Sequence, residues 1–189
     1  MRSSRRRRLV EALFLFTVGM NMSGCIGAGA NSPMIPQGSG SFPVVEGINL
    51  HGRTIAIPRE LEGERRIVVV AFEQRQQPDV DTWIRGLEED LKNDSGLKLY
   101  ELPVIYEGSA TFRFWVNNGM RSGITDATAR GRTITVYTDR DKFYATLGVK
   151  QDSITTFILD REGRITWRAD GPVTSDLLAG LRAALRAGA

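Results

Sequence analysis

A continuous apolar run from Ile67 to Phe72 constrains the fold of this chain more than any other feature. All six residues are apolar, and the first four (Ile-Val-Val-Val) are β-branched. A strand with one face in water alternates apolar and polar residues, whereas a strand buried on both faces is apolar throughout. The run therefore predicts the central strand of a sheet that is covered on both faces, and a crossover helix is expected after it.

A helical pattern follows at the expected place. Apolar residues recur with helical spacing after Pro78, Asp79 is the candidate N-cap, and a polar stretch at 93–96 ends the pattern. The apolar positions are Val80, Ile84, Leu87 and Leu91. Residues 97–106 then alternate as a second strand does.

Residues 109–118 form a second helical pattern, which is rich in aromatic side chains. Phe112, Trp115 and Val116 have the i, i+3, i+4 spacing of one helix face. We expect this face to point into the core, the helix to end at Gly119, and Phe114 to point away. The alternative is an exposed aromatic patch that contacts a partner.

The remaining patterns complete an alternation of strands and helices. In chain order they are a hairpin turning at 51–53 ahead of the central strand, a strand at 133–137, a helix from Asp139 to Gly148, a hairpin at 155–169 and a closing helix capped by Thr174 or Ser175. This order predicts an α/β fold, with a mixed sheet flanked by helices on both faces, a C-terminal β-hairpin and a closing helix.

The N-terminus has the layout of an export signal. Five arginines precede a short apolar stretch at 12–22, which is too short to span a bilayer comfortably. The stretch ends in Met22-Ser23-Gly24-Cys25, which resembles the lipobox of bacterial lipoproteins and implies a lipid, including chains such as palmitate, on Cys25. An ordinary secretory signal and an uncleaved short anchor are the alternatives. All three place the protein outside the cytoplasm.

Cleavage before Cys25 changes the charge of the chain. The whole chain has a formal charge of +3, but residues 1–24 carry five arginines and one glutamate, so the mature chain is near neutral. The sequence thus offers no basic face for nucleic acid.

We expect a signal peptide at 1–24, a lipidated cysteine and flexible tether at 25–41, and one domain at 42–189. Ile26, in place of a retention aspartate, favours the outer membrane slightly.

Residues 154–165 carry a family resemblance. Their sequence, Ile-Thr-Thr-Phe-Ile-Leu-Asp-Arg-Glu-Gly-Arg-Ile, is similar to the strand, turn and strand of membrane-anchored thioredoxins and peroxiredoxins. The resemblance implies a thioredoxin-like fold. It also implies reactive cysteines directly after the central strand, where residues 72–80 (Phe-Glu-Gln-Arg-Gln-Gln-Pro-Asp-Val) contain none, and a cis-proline where this chain has Ile154. We therefore expect no catalytic residues and a protein that is not an enzyme.

A second resemblance is to the mitochondrial ATP-synthase assembly factors, which are also thioredoxin-like and lack the cysteine pair. It rests on Gly131-Arg132-Thr133-Ile134, on the helix at 143–148 and on the hairpin at 160–167. This resemblance implies chaperone-like handling of a membrane protein.

The candidate binding surface follows from the fold position of two loops. The loop after the central strand contributes Gln76, Gln77, Pro78 and Asp79, with Ile154 beside it, and a second loop contributes Met120 and Arg121. A loop that the fold retains without any binding function is the alternative for the first group.

The single histidine, His51, has no second histidine or cysteine with which to share a metal, and the charged run at 139–142 has the composition of a solvated face. We expect no cofactor.

Together these features predict a membrane-anchored, non-redox thioredoxin-like lipoprotein, facing the periplasm, that acts as a protein-binding or assembly module. Its partners are the membrane, through Cys25, and an unknown envelope protein. The alternative is a thiol oxidoreductase or peroxiredoxin-like enzyme in which the tether carries an unlipidated Cys25 into the site.

Overall fold

The structure, a computed structural model, describes residues 40–188. The predicted signal peptide, Cys25 and all but the last two residues of the predicted tether lie outside this range. None of the helices in the described range is long and apolar enough to cross a bilayer.

Within residues 40–188, seven strands and six helices alternate in the predicted order, with two more helices than predicted: the first predicted helix is divided into two, and one helix before the fifth strand was not predicted. The strands are β1 (Val45–Asn49), β2 (Thr54–Ile57), β3 (Arg65–Ala71), β4 (Leu97–Tyr106), β5 (Ile134–Thr138), β6 (Thr155–Leu159) and β7 (Ile165–Asp170). The helices are α1 (Gln77–Gly86), α2 (Glu88–Asn93), α3 (Ala110–Gly123), α4 (Ala127–Arg132), α5 (Arg140–Leu147) and α6 (Ser175–Ala187).

The strands form one mixed sheet in the order β2-β1-β5-β4-β3-β6-β7. Strand β3 pairs in parallel with β4 and antiparallel with β6, so that Val69 lies between Glu101 and Thr156. Strand β5 is parallel to β4, and β1 is antiparallel to β5. The predicted α/β class and mixed sheet are confirmed.

The side chains of β3 alternate between two core layers. Ile67 and Val69 pack with α1 and α6 on one face, whereas Val68 and Val70 pack with α5 and the β1–β2 hairpin on the other. The apolar run therefore lies buried on both faces, as its sequence predicts.

Arg66 is the exception on β3, because it is a buried cation. It lies on the same face of the strand as Val68 and Val70, in what we call the second core layer. Its Nη1 donates to the Pro58 carbonyl at 2.7 Å, and its Nη2 donates to the Asp160 carbonyl. Burial lowers the pKa of the guanidinium, and the Asp160 carboxylate opposes that shift. These bonds join the segment after β2 to the turn between β6 and β7.

The described chain begins at the same turn. Phe42 N donates to Gly163 O, and Ile165 N donates to Gly40 O, each at 2.9 Å. Since β6 runs antiparallel to β3, this turn lies at the end of the sheet where β3 begins. Gly40 is therefore at the opposite end of β3 from the loop that follows that strand.

The predicted N-cap of α1 is wrong. The cap is Gln76 instead of Asp79, because a 3₁₀ turn at Gln74–Gln76 leads directly into a helix that already begins at Gln77. Asp79 lies in the first turn, where the helix dipole favours a carboxylate. The caps predicted for the later helices are confirmed, since Asp139 begins α5, Gly148 ends it and Thr174 begins α6.

The predicted end of α3 is also wrong. Ser109 caps the helix, but the helix passes through Gly119 and ends at Gly123. Helix α4, capped by Asp126, is the element that the sequence patterns missed. It has no buried residue, so it carries little apolar periodicity by which to recognise it.

We expect Trp83→Ala to reduce the free energy of unfolding by about 3–5 kcal/mol, the usual cost of removing a buried Trp. Trp83 is fully buried, its Nε1 donates to Gly171 O at 2.9 Å, and its ring meets Trp167 edge to face at 6.0 Å. Trp115→Ala is the matched control and should cost less than about 1 kcal/mol, because Trp115 is exposed. Urea unfolding followed by circular dichroism measures both. Equal losses would contradict this packing.

Candidate functional site

The carboxyl ends of β3, β4 and β5 meet at one edge of the sheet. In open α/β sheets ligands bind at this edge, and the loop between β3 and α1 lies there. The five candidate residues Gln76, Gln77, Pro78, Asp79 and Ile154 belong to this edge.

Gln76 is an internal brace of the loop. Its side chain is buried, Oε1 accepts bonds from Phe72 N at 2.7 Å and Glu73 N at 3.2 Å, and Nε2 donates to Gln151 O at 2.9 Å. All of these partners are main-chain groups. Gln76 therefore holds the loop in shape and does not present its amide to a ligand.

The other residues of this group differ in exposure. Gln77 and Pro78 are exposed and Asp79 is half-buried. Ile154 is fully buried, and within the described residues the one cis peptide bond precedes Pro58, so Ile154 follows a trans bond. The groove-lining role that a cis-proline would have at this position is not available to Ile154.

Met120 and Arg121 lie away from this edge, towards the other end of α3. Met120 is half-buried, and Arg121 Nε donates to Leu50 O, beyond the end of β1, at 2.8 Å. The structure thus separates the two groups of candidate residues.

Helix α3 presents its polar face to the sheet. Tyr137 Oη lies within hydrogen-bond distance of two acceptors, Arg113 O at 3.2 Å and Asn117 Oδ1 at 3.0 Å, and the Arg113 guanidinium lies 5.6 Å from the Tyr137 ring. Burial raises the pKa of Tyr137 to about 12, and Arg113 opposes this shift. The face of α3 that packs against the sheet therefore contains Arg113, Val116 and Asn117. The predicted inner face contained Phe112 and Trp115 with Val116.

The aromatic side chains of α3 consequently face solvent. Phe112, Phe114 and Trp115 are 40%, 67% and 48% exposed, and Tyr106, at the end of β4, is 53% exposed. The expectation that Phe112 and Trp115 belong to the core is wrong, whereas Phe114 points away as predicted. We call Tyr106, Phe112, Phe114 and Trp115 the aromatic edge.

Arg140 lies beside the aromatic edge. Its guanidinium stacks over Tyr106 at 4.4 Å and lies 5.8 Å from the Phe72 ring, while Nε donates to Tyr144 Oη at 2.8 Å. No carboxylate within residues 40–188 pairs with it. The charged run at 139–142 predicted that Arg140 belongs to a solvated face. The sequence could not reveal its aromatic neighbours, because they come together only when β3, β4 and α5 have folded.

A buried carboxylate lies beneath the start of α1. Glu101, on β4, is 7% exposed and pairs with Arg132 Nε at 3.2 Å. Burial raises the pKa of Glu101, although Arg132 and the Gln77 amide both favour the charged form. Gln77 also donates to Asp81 Oδ1 at 3.2 Å. No sequence pattern signals this cluster, because its members come from separate elements.

We expect the pH dependence of stability to report Glu101. A carboxyl whose pKa is raised by folding binds its proton more tightly in the folded state. Its contribution to stability is complete below the unfolded pKa, about 4.3, and is lost as pH rises through the folded pKa. The free energy of unfolding of the wild type, minus that of Glu101→Gln, should therefore fall as pH rises above about 4.

Urea unfolding at a series of pH values measures this difference. Arg132→Gln should enlarge the fall, since Arg132 lowers the pKa of Glu101. Glu162→Gln, which removes a carboxylate exposed on the β6–β7 turn, is the control for the loss of one negative charge. A difference that grows with pH would contradict the direction of the shift.

Within the described part of the chain, no three histidine, cysteine or acidic side chains are placed to hold a metal ion. His51 Nε2 lies 3.0 Å from the Ala127 carbonyl, which makes it a local contact with α4.

Neither a protein-family model nor a curated protein matches this chain. Solved structures do. A putative electron transport protein from Aquifex aeolicus matches with a TM-score of 0.55 and 11% identity, over 79% of this chain and 96% of that one. BsSco, of the Sco family of cytochrome c oxidase assembly proteins, matches with a TM-score of 0.53 and 9% identity, over 80% and 96%.

A third match is the thioredoxin domain of a thiol-disulfide oxidoreductase from Bacteroides vulgatus. Its TM-score is 0.50 and its identity 13%, over 78% of this chain and 96% of that one. These structures show that the fold is thioredoxin-like, as the sequence resemblance implies.

The same comparisons contradict the expectation that this protein is not an enzyme. The proteins that share its architecture include a thiol-disulfide oxidoreductase and a Sco-type protein. The loop after β3 has no cysteine, but the absence of a thiol at one position is insufficient ground to exclude an enzyme built on this fold. The chain's one cysteine, Cys25, lies outside the described residues.

Proposed function

We propose that this chain is a lipid-anchored protein of the bacterial cell envelope whose thioredoxin-like domain binds another envelope protein through the aromatic edge. The observation that carries the proposal is the orientation of α3, which directs Arg113 and Asn117 towards the sheet and its aromatic residues towards solvent. An amphipathic helix ordinarily does the reverse.

Exposed aromatic residues in such numbers are typical of an interaction surface. Apolar side chains clustered on a surface mark contact sites, and aromatic residues and Arg are enriched in protein interfaces. Arg140 adds a guanidinium that the neighbouring rings already hold in place, so little side-chain entropy is lost when it meets a carboxylate of the partner.

The position of Gly40 favours a protein over the membrane as the occupant of this edge. The predicted tether at 25–41 would meet the domain where Gly40 bonds beside the β6–β7 turn, and the aromatic edge lies at the other end of β3 and β4. A Gly/Ser-type tether of this length has a root-mean-square span of about 20 Å. The attachment point of the tether therefore lies at the end of the sheet opposite the aromatic edge, which leaves the aromatic edge accessible to a protein partner.

An assembly role is consistent with the same contact. BsSco, which shares the fold, belongs to a family of cytochrome c oxidase assembly proteins. That support is at the level of the fold, since function depends on the site. The envelope partner would be held at the aromatic edge while it matures, and the exposed Gln77 and Pro78 lie at the same edge of the sheet.

We expect a photoreactive amino acid at Phe114 to form one discrete protein adduct in cells of the native host. The same amino acid at Glu162, which is equally exposed on the β6–β7 turn, should not form it. Phe112→Ser combined with Trp115→Ser should weaken binding of the identified partner about 30-fold, since truncated aromatic hot spots cost about 2 kcal/mol or more. Adducts of equal yield at both positions, or lipid adducts at Phe114, would refute the proposed surface.

The lipid anchor has a separate test. Intact mass spectrometry of protein extracted from membranes should show cleavage before Cys25 and the added mass of acyl chains, and Cys25→Ser should lose both. More than one chain is expected, because a single acyl chain binds a membrane only marginally. A cleaved protein with a free thiol that can be alkylated would disprove the anchor.

A further inference from the structure

Half of β4 has no neighbouring strand on one side. Strand β3 pairs with β4 over Leu97–Pro103, but β5 pairs only with Val104–Tyr106, and a single further bridge joins Glu101 to Thr133. Among residues 40–188, no strand pairs with the segment 97–100 on the β5 side.

The register between β3 and β4 shows which backbone N–H and carbonyl groups of β4 point towards this unpaired edge. Arg65 is in register with Leu97, and its N–H donates to Gly96 O at 3.2 Å. In a parallel ladder a residue bonds to the two residues that flank its partner, so Lys98 and Tyr100 face β3, whereas Leu97 and Leu99 face the open side.

Leu99 consequently has an N–H and a carbonyl with no partner in the described part of the chain. Leu97 N–H is satisfied by Asp94 O at 3.2 Å. Leu99 is only 5% exposed, and backbone groups that are buried in this way are ordinarily paired. They form the template on which another strand adds to a sheet.

These groups border a cleft of about 840 Å³. Strand β4 forms one wall, and the β1–β2 hairpin, α1, α2 and α4 form the others. Its apolar lining is Ile55, Leu61, Ile84, Leu91, Leu97 and Leu99. The volume falls in the range of ligand-binding clefts.

The chain itself does not fill the cleft, because α4 takes the place of a longer β5. Asp126 Oδ1 accepts from Ala129 N at 2.8 Å to begin the helix, and Thr133 N donates back to Ala129 O at 3.0 Å to end it. Residues 127–132 are therefore held as a helix where a longer strand would have paired with Leu99.

We propose that this cleft binds an extended segment of another polypeptide, which adds as a strand to the exposed edge of β4. The segment would bond through its main chain to Leu99 and place alternate apolar side chains against the lining. Three cationic side chains without an ion pair among the described residues line the cleft (Arg53, Arg85 and Lys98), against two such carboxylates (Glu60 and Glu62). The unpaired charge of the lining is therefore net positive and favours flanking carboxylates on the bound segment. This site is separate from the aromatic edge, and the proposal does not depend on it.

Residue-resolved amide hydrogen exchange on the full chain in detergent tests the proposal. The probe is the capped heptapeptide Glu-Val-Thr-Val-Thr-Val-Glu at saturating concentration. Leu99 N–H should exchange freely without the peptide and at least tenfold more slowly with it. Lys98 and Tyr100 N–H, which face β3, are internal controls and should be protected in both states. A peptide with the same side chains but N-methylated at alternate residues should give no protection.

Gly131→Phe provides a variant that blocks the cleft. A Cβ at Gly131 would meet only His51, at 3.8 Å, which is an ordinary contact, so a side chain can begin at this position without a clash. The circular dichroism spectrum of the variant checks that it folds. It should weaken peptide binding at least tenfold and leave the aromatic-edge adduct unchanged. The proposal is overturned if Leu99 N–H is already protected in the free protein, if it becomes protected as protein concentration rises without peptide, or if the saturating peptide leaves its exchange unchanged.

Discussion

The buried guanidinium of Arg66 connects two outer parts of the structure through the core. Its donors reach main-chain carbonyls of Pro58 and Asp160, so one side chain on β3 joins the end of the first hairpin to the turn of the last. A buried cation is costly unless it is well bonded, and the bonds it makes are correspondingly specific. The β1–β2 hairpin is thereby drawn over the second core layer, close to Gly163.

Strand β4 is covered unevenly by its neighbours. Strand β5 pairs only with the carboxyl-terminal part of β4, so the amino-terminal half of β4 borders a cleft whose other walls include the β1–β2 hairpin. An open sheet edge is a liability that proteins ordinarily cover, so an open edge beside a cleft lined with apolar side chains points to binding.

The sequence was sufficient for the elements whose local signals agree with their burial. The run at 67–72, the caps at Asp139 and Thr174 and the turn before Gly163 each act within a few residues, and the structure has them where the patterns place them. Helix α3 shows the limit. Its period is right, but the half-buried hydroxyl of Tyr137, on β5, finds its hydrogen-bond acceptors in Arg113 and Asn117 of this helix. The face of α3 that packs against the sheet is therefore the one that bonds to Tyr137. The apolar periodicity of the helix contains no information about that residue.

The same reasoning explains why the candidate site was only partly predictable. The loop after β3 follows from chain order, but Arg140 among its rings and Glu101 beside Arg132 exist only after β3, β4, β5 and their helices have assembled. Assembly also separates the aromatic edge from the β6–β7 turn by the length of β3, whose seven residues span about 20 Å from the first Cα to the last at about 3.3 Å per step. The aromatic edge and the cleft lie towards opposite ends of β4, since Tyr106 ends that strand and Leu97 begins it. A folded partner at one end and an extended segment at the other would therefore not compete for the same residues, and a domain of this size would hold both at once.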